Sequence, residues 1–477
     1  MKYLLQFLSI ILTVNLAGCR VTKLSASSNA TIIDFAITNI SIVDVKKGIT
    51  LPNQTVLISG EHIVEIGDKG KVQIPSSAVI VDGEGQFVMP GLVDAHVHYF
   101  DEERFGRLLL ANGVLLVRDM GMPNFMILPL RDKLNSGKVL GPEMITTGIM
   151  IDGDPPIIPL ISKGVTTPEE GRKLVTQQAE KGVDMIKTYS RLDKDVFLAI
   201  LDEANKFGLQ VVSHLSESIY IEDAAIAGLA SSEHFNGFEK VIAKLLGESA
   251  RFNFVGQGAD ARFLARLDEV DPKELNAVYD RIRASGMTVC PTVVTFKTMT
   301  HISNIQEGKF LGSEYISPSL SFMWKTMWKQ QDDLDAYIWQ NWAKMVVGLN
   351  QAGVPLMIGT DLMLPGILPG FSVHEEMAIW QEAGIPAVDI LRSATLVPAR
   401  FMGLSDRLGT VSVGKVASIV LVQGNPLEDI RNAQKIAGLF LRGQYFSRSE
   451  LDQLLEDAKV LNVPPAIALV GSRKEFL

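Results

Sequence analysis

Cysteine is nearly absent: Cys19 and Cys290 are the only two among 477 residues, so no disulfide framework can carry the fold. Basic charge is also short. Lysine and arginine number 45 against 54 aspartates and glutamates, a net charge of −9, and no basic stripe stands ready to neutralise phosphates. Nucleic acid is thereby excluded as a partner. No Gly-x-Gly-x-x-Gly follows the strand-like run that opens the central region, which weighs against a dinucleotide fold. Solenoid repeats and low-complexity tracts are missing as well. The apolar run Tyr3 to Val14 is too short for a comfortable membrane span, which needs about 20 residues, and reads as an export signal.

What is present is histidine in a telling place. Met89 to His98 reads MPGLVDAHVH, an apolar strand that ends in two imidazoles one residue apart. Residues i and i+2 of a strand share a face, so both rings can reach one ion. Burying two such rings costs solvation unless something binds them. Four later apolar runs also end in a group able to hold a cation: Val183 to Ile186 before Lys187, Leu209 to Ser213 before His214, Leu229 to Glu233 before His234, and Val354 to Thr360 before Asp361.

Three more runs, Val114 to Val117, Met144 to Thr147 and Met287 to Cys290, bring the count to eight strands. Helical stretches at Lys194 to Phe207, Ile221 to Ala227 and Pro272 to Ala284 read as crossovers. The alternation predicts an α/β fold with a parallel sheet, and eight strands favour closure into a (β/α)8 TIM barrel. Every candidate ligand then sits at the C-terminal strand ends, the face where barrel sites are built. His62, His301 and His374 terminate no such strand and are read as structural.

The ordered set resembles the amidohydrolase superfamily, in particular metal-dependent hydrolases grouped with imidazolonepropionase-like proteins and Xaa-Pro dipeptidases. The matching segments are Pro90 to His98, Val117 to Gly121, Ile186-Lys187, His214, Glu233-His234, Gly359 to Asp361, His374 to Glu376, Leu408 to Lys415 and Gly424 to Leu427, and the likeness runs from about Asp34 to Phe446. It implies two divalent cations, zinc being the best match, although manganese or iron also suits the ligands. His96, His98 and Asp361 would hold one ion and His214 and His234 the other, with Lys187 bridging as its N6-carboxylated carbamate. A protonated lysine has no lone pair and is repelled by a dication; the neutral amine can add carbon dioxide and become an anionic oxygen ligand.

The implied activity is cleavage of a C–N amide bond in a dipeptide, an N-acyl amino acid or a cyclic amide, with hydroxide generated at the metals and Asp361 as general base. A second reading is deamination at one metal, with Glu217 shuttling the proton. A third, of another class, is a surface lipoprotein that keeps the barrel only for binding. Tyr189 and Arg118 are the expected substrate contacts, with an internal ion pair to Asp119 or a neighbour as the alternative for Arg118. Leu215-Ser216 and Leu362 depart from common family residues near the metals, and Ser418 stands where relatives often have aspartate, so neither prolidase nor imidazolonepropionase activity carries over.

The ends of the chain complete the expected organisation. Leu16-Ala17-Gly18-Cys19 resembles the bacterial lipoprotein box, which makes residues 1–19 a lipoprotein signal peptide and Cys19 the lipidation site. Acylation there would hold the exported chain on a membrane surface of the bacterial envelope, and Arg20 in place of aspartate is consistent with the outer membrane. Residues 20–30 would be a tether, 31–88 and 405–446 a small β-sandwich made from both chain ends, 89–404 the barrel, and 447–477 a C-terminal helix and tail. The Trp-rich stretch 322–342, with Trp324, Trp328, Trp339 and Trp342, is expected to act as a lid or as a homo-oligomer contact.

Overall fold

Isoleucine, valine and threonine crowd the early part of the chain, and their branched side chains favour extended backbone. The structure, a computed structural model, describes residues 32–249, 262–300, 305, 307, 308, 310, 312–316, 321, 324, 338–362 and 364–461. The signal, the tether, Cys19, His301, Trp328, much of the rest of 322–342 and the tail after 461 lie outside the described residues. The first strands are β1 (Phe35–Asp44), β2 (Ile49–Ser59), β3 (His62–Asp68), β4 (Val79–Asp82) and β5 (Gln86–Pro90). The central parallel strands follow: β6 (Leu92–Val97), β7 (Val114–Asp119), β8 (Glu143–Thr146), β9 (Met150–Gly153), β10 (Ser162–Val165), β11 (Ile186–Thr188), β12 (Val211–Ser213), β13 (Ser231–Glu233) and β14 (Thr288–Cys290). Three more, β15 (Ile419–Gln423), β16 (Ile436–Leu441) and β17 (Gln444–Ser447), close the series.

Strands from both ends of the chain pair with one another. The order is β17-β16-β15-β5-β1-β2-β3, with β4 added beside β1. β15 runs antiparallel to β5, setting Val420 opposite Met89, and β5 runs parallel to β1. Two facing sheets were expected here; the strands hydrogen-bond into one eight-stranded sheet that folds over on itself, so that Phe35 of β1 meets Phe440 of β16 at 5.3 Å and Ile63 of β3 exchanges backbone bonds with Gly414 and Lys415 just ahead of β15. Ile37, Ile40, Val56, Ile58, Val88, Ile419, Leu421 and Phe440 fill a core against it. Because β5 runs almost directly into β6, this sheet anchors the strand that bears His96.

β6, β7 and β8 form one parallel sheet, and β10-β9-β11-β12-β13-β14 form another. β6, β7 and β11 to β14 are buried at every residue, as parallel strands covered on both faces must be. The expected eighth strand, Val354 to Thr360, is a correction. It forms single bridges, Leu356 to Val289 on one side and Leu362 to Val97 on the other, rather than a ladder. Pro355 has no N–H to donate and Asp361 turns to φ 57, which together break the repeat. The segment still spans from β14 to β6: Met357 N donates to Val289 O at 3.0 Å, Ala95 N to Ile358 O at 2.9 Å, and Asp361 N to His96 O at 2.9 Å. A continuous closed barrel is therefore not formed by the strands themselves. β9 and β10 were not anticipated, since each is short, ends in or contains glycine, and lacks an apolar run.

Helices cover these sheets at Lys194–Lys206, Ile221–Ile226 and Pro272–Ser285, within two residues of expectation. Local chemistry sets their ends: Asp271 accepts from Lys273 N ahead of Pro272, and Gly286 at φ 78 stops the same helix. The C-terminal helix Arg448–Val460 starts with a Ser447/Glu450 capping box and packs against Glu102–Ala111 through Ala458 and Leu108. Among the described residues, no helix is long and apolar enough to cross a membrane.

Candidate metal centre

His96 ends β6 and His98 lies just past it, their ring centroids 5.6 Å apart. Asp361 faces both. Its Oδ1 is 3.5 Å from His96 Nε2 and 3.5 Å from His98 Nε2, while Oδ2 is 3.9 Å from His234 Nε2. Ligand atoms of His96, His98 and Asp361 all lie within 4.8 Å of one another. The His234 ring centroid is 4.3 Å from that of His96 and 5.6 Å from that of His214. His234, Thr292 and Asp361 adopt left-handed backbone, with φ of 56, 48 and 57°. Such conformations cost of order 1–3 kcal/mol each and cluster at functional sites; here they turn side chains back over the strand ends.

The far nitrogen of each imidazole is held by the protein. His96 Nδ1 meets Glu233 Oε2 at 2.8 Å, His98 Nδ1 the Gly121 carbonyl at 2.9 Å, His214 Nδ1 Ser190 Oγ at 2.5 Å, and His234 Nδ1 Thr292 Oγ1 at 2.7 Å. Orientation of this kind leaves Nε2 for a ligand. Asp94, fully buried and pushed up to about 7 by burial, accepts from Thr360 Oγ1 at 2.6 Å and from His96 N at 3.2 Å. It thereby ties the strand of His96 to the segment of Asp361.

Lys187 is 1% exposed, and its ammonium nitrogen has no hydrogen-bond partner. Burial draws its pKa down to about 8, helped by Arg118 and opposed by Glu233 and Asp361. Burial and the neighbouring cations hold His96 and His214 well below the usual imidazole range, and His234 falls to about 4. Burial alone would raise Asp361, but His234, His98 and His96 pull it far below the usual carboxylate range. The donor set is thus three imidazoles held neutral, His98 whose pKa burial would lower but Asp361 raises, a firm carboxylate and an amine whose pKa is drawn down to about 8. Such a set fits divalent cations of borderline softness, zinc foremost.

Two expected residues sit differently. Arg118, expected at the substrate, is wholly buried: its Nη2 lies 2.9 and 3.0 Å from the two Glu233 oxygens, Nη1 donates to Ser231 Oγ at 3.1 Å and Nε to the Ala95 carbonyl at 2.5 Å. It is held in the interior by Glu233, the internal ion pair that was the alternative to a substrate contact. His214 is near the other rings but its Nε2 meets Asn236 Nδ2 at 2.9 Å instead of Asp361. Tyr189 stacks on His214, centroids 4.3 Å apart, and is half-buried beside the site. Glu217 binds Ser190 O through its backbone N–H at 3.0 Å. Its carboxyl is pushed up to about 7 by burial, and its charged neighbours are Lys240, Arg191 and Asp152 rather than the ligand imidazoles. His374 is structural as expected, with Nε2 at 2.9 Å from Asn112 O. Cys290 is buried and free.

Glu233 lies in the matching Glu233-His234 segment but was given no role, and Ser190, Thr292 and Asn236 were not singled out in the sequence. Glu233 and Ser231 share a face of β13, and an acid and a hydroxyl repeated at i and i+2 at the end of an apolar run was the available signal. Ser190, Thr292 and Asn236 lie in loops, where no periodicity marks them.

Residues 87–445 match the amidohydrolase family, and the chain belongs to that family. Bottromycin amidohydrolase is similar in structure, with a TM-score of 0.71 at 22% identity over 89% of this chain and 90% of that one. A Xaa-Pro dipeptidase solved with methionine in its active site gives a TM-score of 0.63 at 19% identity, covering 87% of this chain and 99% of that one. At such identities the likeness concerns the fold. Adenine deaminase of Staphylothermus marinus is 30% identical over 90 residues, which is 18% of this chain and only 15% of that relative's length.

Proposed function

We propose that the chain is a binuclear-metal hydrolase of a C–N amide bond in a dipeptide, an N-acyl amino acid or a cyclic amide, built on a (β/α)8 barrel in which residues 354–362 take the eighth place. The observation that carries this reading is Lys187: a buried amine without a hydrogen-bond partner, near enough to shift His96, His214 and His234 and to feel the carboxylates of Glu233 and Asp361. Half of that amine is neutral near pH 8, and a neutral amine can add carbon dioxide, losing a proton and becoming a carbamate whose anionic oxygens would be open to the cations. His96, His98 and Asp361 would hold one ion and His214 and His234 the other. When bound, such cations supply Lewis acidity and can lower the pKa of water from 15.7 to about 7.

Asp361 is the proton carrier. Its carboxylate stays ionised beside three imidazoles, so it can take one proton from the attacking water as the C–O bond forms. Being a weak base, it hands the proton on to the leaving nitrogen as the C–N bond breaks. Glu233, Gly121, Ser190 and Thr292 hold the rings so that these distances persist through turnover. Tyr189, over His214, offers its hydroxyl to the substrate at the rim.

The partial likeness to adenine deaminase supports the alternative of one-metal deamination through Glu217. The charged neighbours of Glu217 favour amide hydrolysis. Elemental analysis decides between them: about two ions per chain, with turnover that fades in bicarbonate-free buffer and returns on adding bicarbonate, is the expected result. A screen of dipeptides, acyl amino acids and lactams for released amine or carboxylate identifies the substrate. One ion per chain with activity indifferent to Lys187→Ala would refute the proposal. Complete inactivity across that screen, with metals bound, would favour the binding-lipoprotein reading. We also infer that the chain is exported and acylated at Cys19, which would place the site at a membrane surface of the cell envelope.

A further inference from the structure

We propose that Asn236 competes with a cation for His214, which makes the two halves of the centre unequal and sets the order in which they fill. The turn after β13 builds this contact. His234 and Phe235 take left-handed backbone in succession, φ 56 and 58°, and Asn236 N closes the turn on Glu233 O at 3.0 Å. Asn236 is thereby carried back over the strand end, 6% exposed, with Nδ2 at 2.9 Å from His214 Nε2. Since Ser190 Oγ meets Nδ1 of the same ring at 2.5 Å, both nitrogens of His214 are satisfied within the chain.

The other imidazoles differ. Nε2 of His96, His98 and His234 each faces an oxygen of Asp361, at 3.5, 3.5 and 3.9 Å, with no amide interposed. One half of the centre is therefore assembled in advance, whereas a cation at His214 must first displace an amide hydrogen bond. The amide is suited to leave. Its Oδ1 is buried and has no partner, so only one end of the group is held. A buried acceptor left unpaired is costly, and any cation that frees the amide to rotate relieves that cost. Asn236 thus acts on affinity for the second ion without taking part in proton transfer.

The inference rests on the binuclear reading, and the test separates the two. The full chain, stripped with a chelator, is titrated with Zn2+ against a chromophoric competitor, and melting temperatures are taken with and without zinc. The wild type is expected to bind its second zinc more weakly than its first. In Asn236→Ala the second zinc should bind about fivefold tighter, the order of one net hydrogen bond, with the first unchanged. The same variant should melt lower than wild type when ion-free and level with it when both ions are bound. Asn236→Ser, whose hydroxyl is too short to reach His214, should behave alike and guards against a folding defect in the alanine variant. Second-ion affinity that is unchanged or weakened in both variants overturns the inference while leaving two ions in place. A single zinc in all three proteins overturns the binuclear reading along with it.

Discussion

Arg118 and Glu233 form an ion pair with no exposure to solvent, and Glu233 in turn fixes His96. A buried charge that loses its partner costs about 3–5 kcal/mol, while replacing both partners by apolar groups can be nearly neutral. Arg118→Met is therefore expected to destabilise by about that amount in urea titrations, and Arg118→Met with Glu233→Leu to recover most of it. The double variant should still lose metal affinity, because His96 Nδ1 is no longer held. Lys187 makes a prediction in pH. The ion-free folded chain releases its proton near 8 and the unfolded chain near 10.5, so between those values the unfolded state carries more protons and stability rises with pH. At 1.36 kcal/mol per unit the rise is of the order of 3 kcal/mol, and denaturant midpoints of ion-free Lys187→Met should lack it. Asp361→Asn should lower kcat by at least about 10²-fold with the melting transition preserved. The candidate ligands were legible because each lies at or just beyond the end of an apolar run. For Arg118 an internal ion pair was one of the two readings, but its partner was not legible, because Glu233 lies on a strand far along the chain.

Among elements, the helix Val293–Thr300 shows how loops become part of a site. Glu376, fully buried, accepts from Val293 N at 3.0 Å, Val294 N at 2.6 Å and Trp380 Nε1 at 2.8 Å. It caps a helix whose preceding residue, Thr292, holds His234. Removing the carboxylate orphans three buried donors at about 1–3 kcal/mol each, so Glu376→Ala should lose about 3 kcal/mol or more in a denaturant midpoint. Zinc titration of the same variant should show a weaker ion at the His234 side. Crossover helices were readable from their polar-apolar period. The segment before Asp361 was not: its apolar composition says strand, whereas Pro355 and the left-handed turn at Asp361 leave it only single bridges to its neighbours. β9 and β10 carry no periodic signal at all, and their pairing depends on β11 lying alongside Ile151.

For the molecule as a whole, the decisive feature is that its two ends share one sheet. β15 covers the edge of β5 from Gln86 to Pro90, and β5 leads into the strand of His96. A chain ended at residue 404 should lose both its single cooperative melting transition and its tight zinc, measured by calorimetry and by metal analysis after gel filtration. Export and acylation are tested separately: mass spectrometry of the N-terminus should find a lipidated Cys19, and Cys19→Ser should move the protein from the membrane fraction to the soluble one. That both ends would meet was legible through the family resemblance. That they would hydrogen-bond into one continuous sheet folded over on itself was not, since alternating burial within a strand says which face is covered and nothing about which edges pair.

Ribosomes release a chain from its first residue onward, and this arrangement gives that direction a consequence. Until residues 419–423 have been made, β5 lacks its neighbour on one side and the strand beyond it has no fixed seat. The histidine pair therefore spends most of translation unable to capture an ion. On the proposed export route, a machine that threads unfolded polypeptides would receive this one metal-free, and loading would fall to whatever cations await it on the far side.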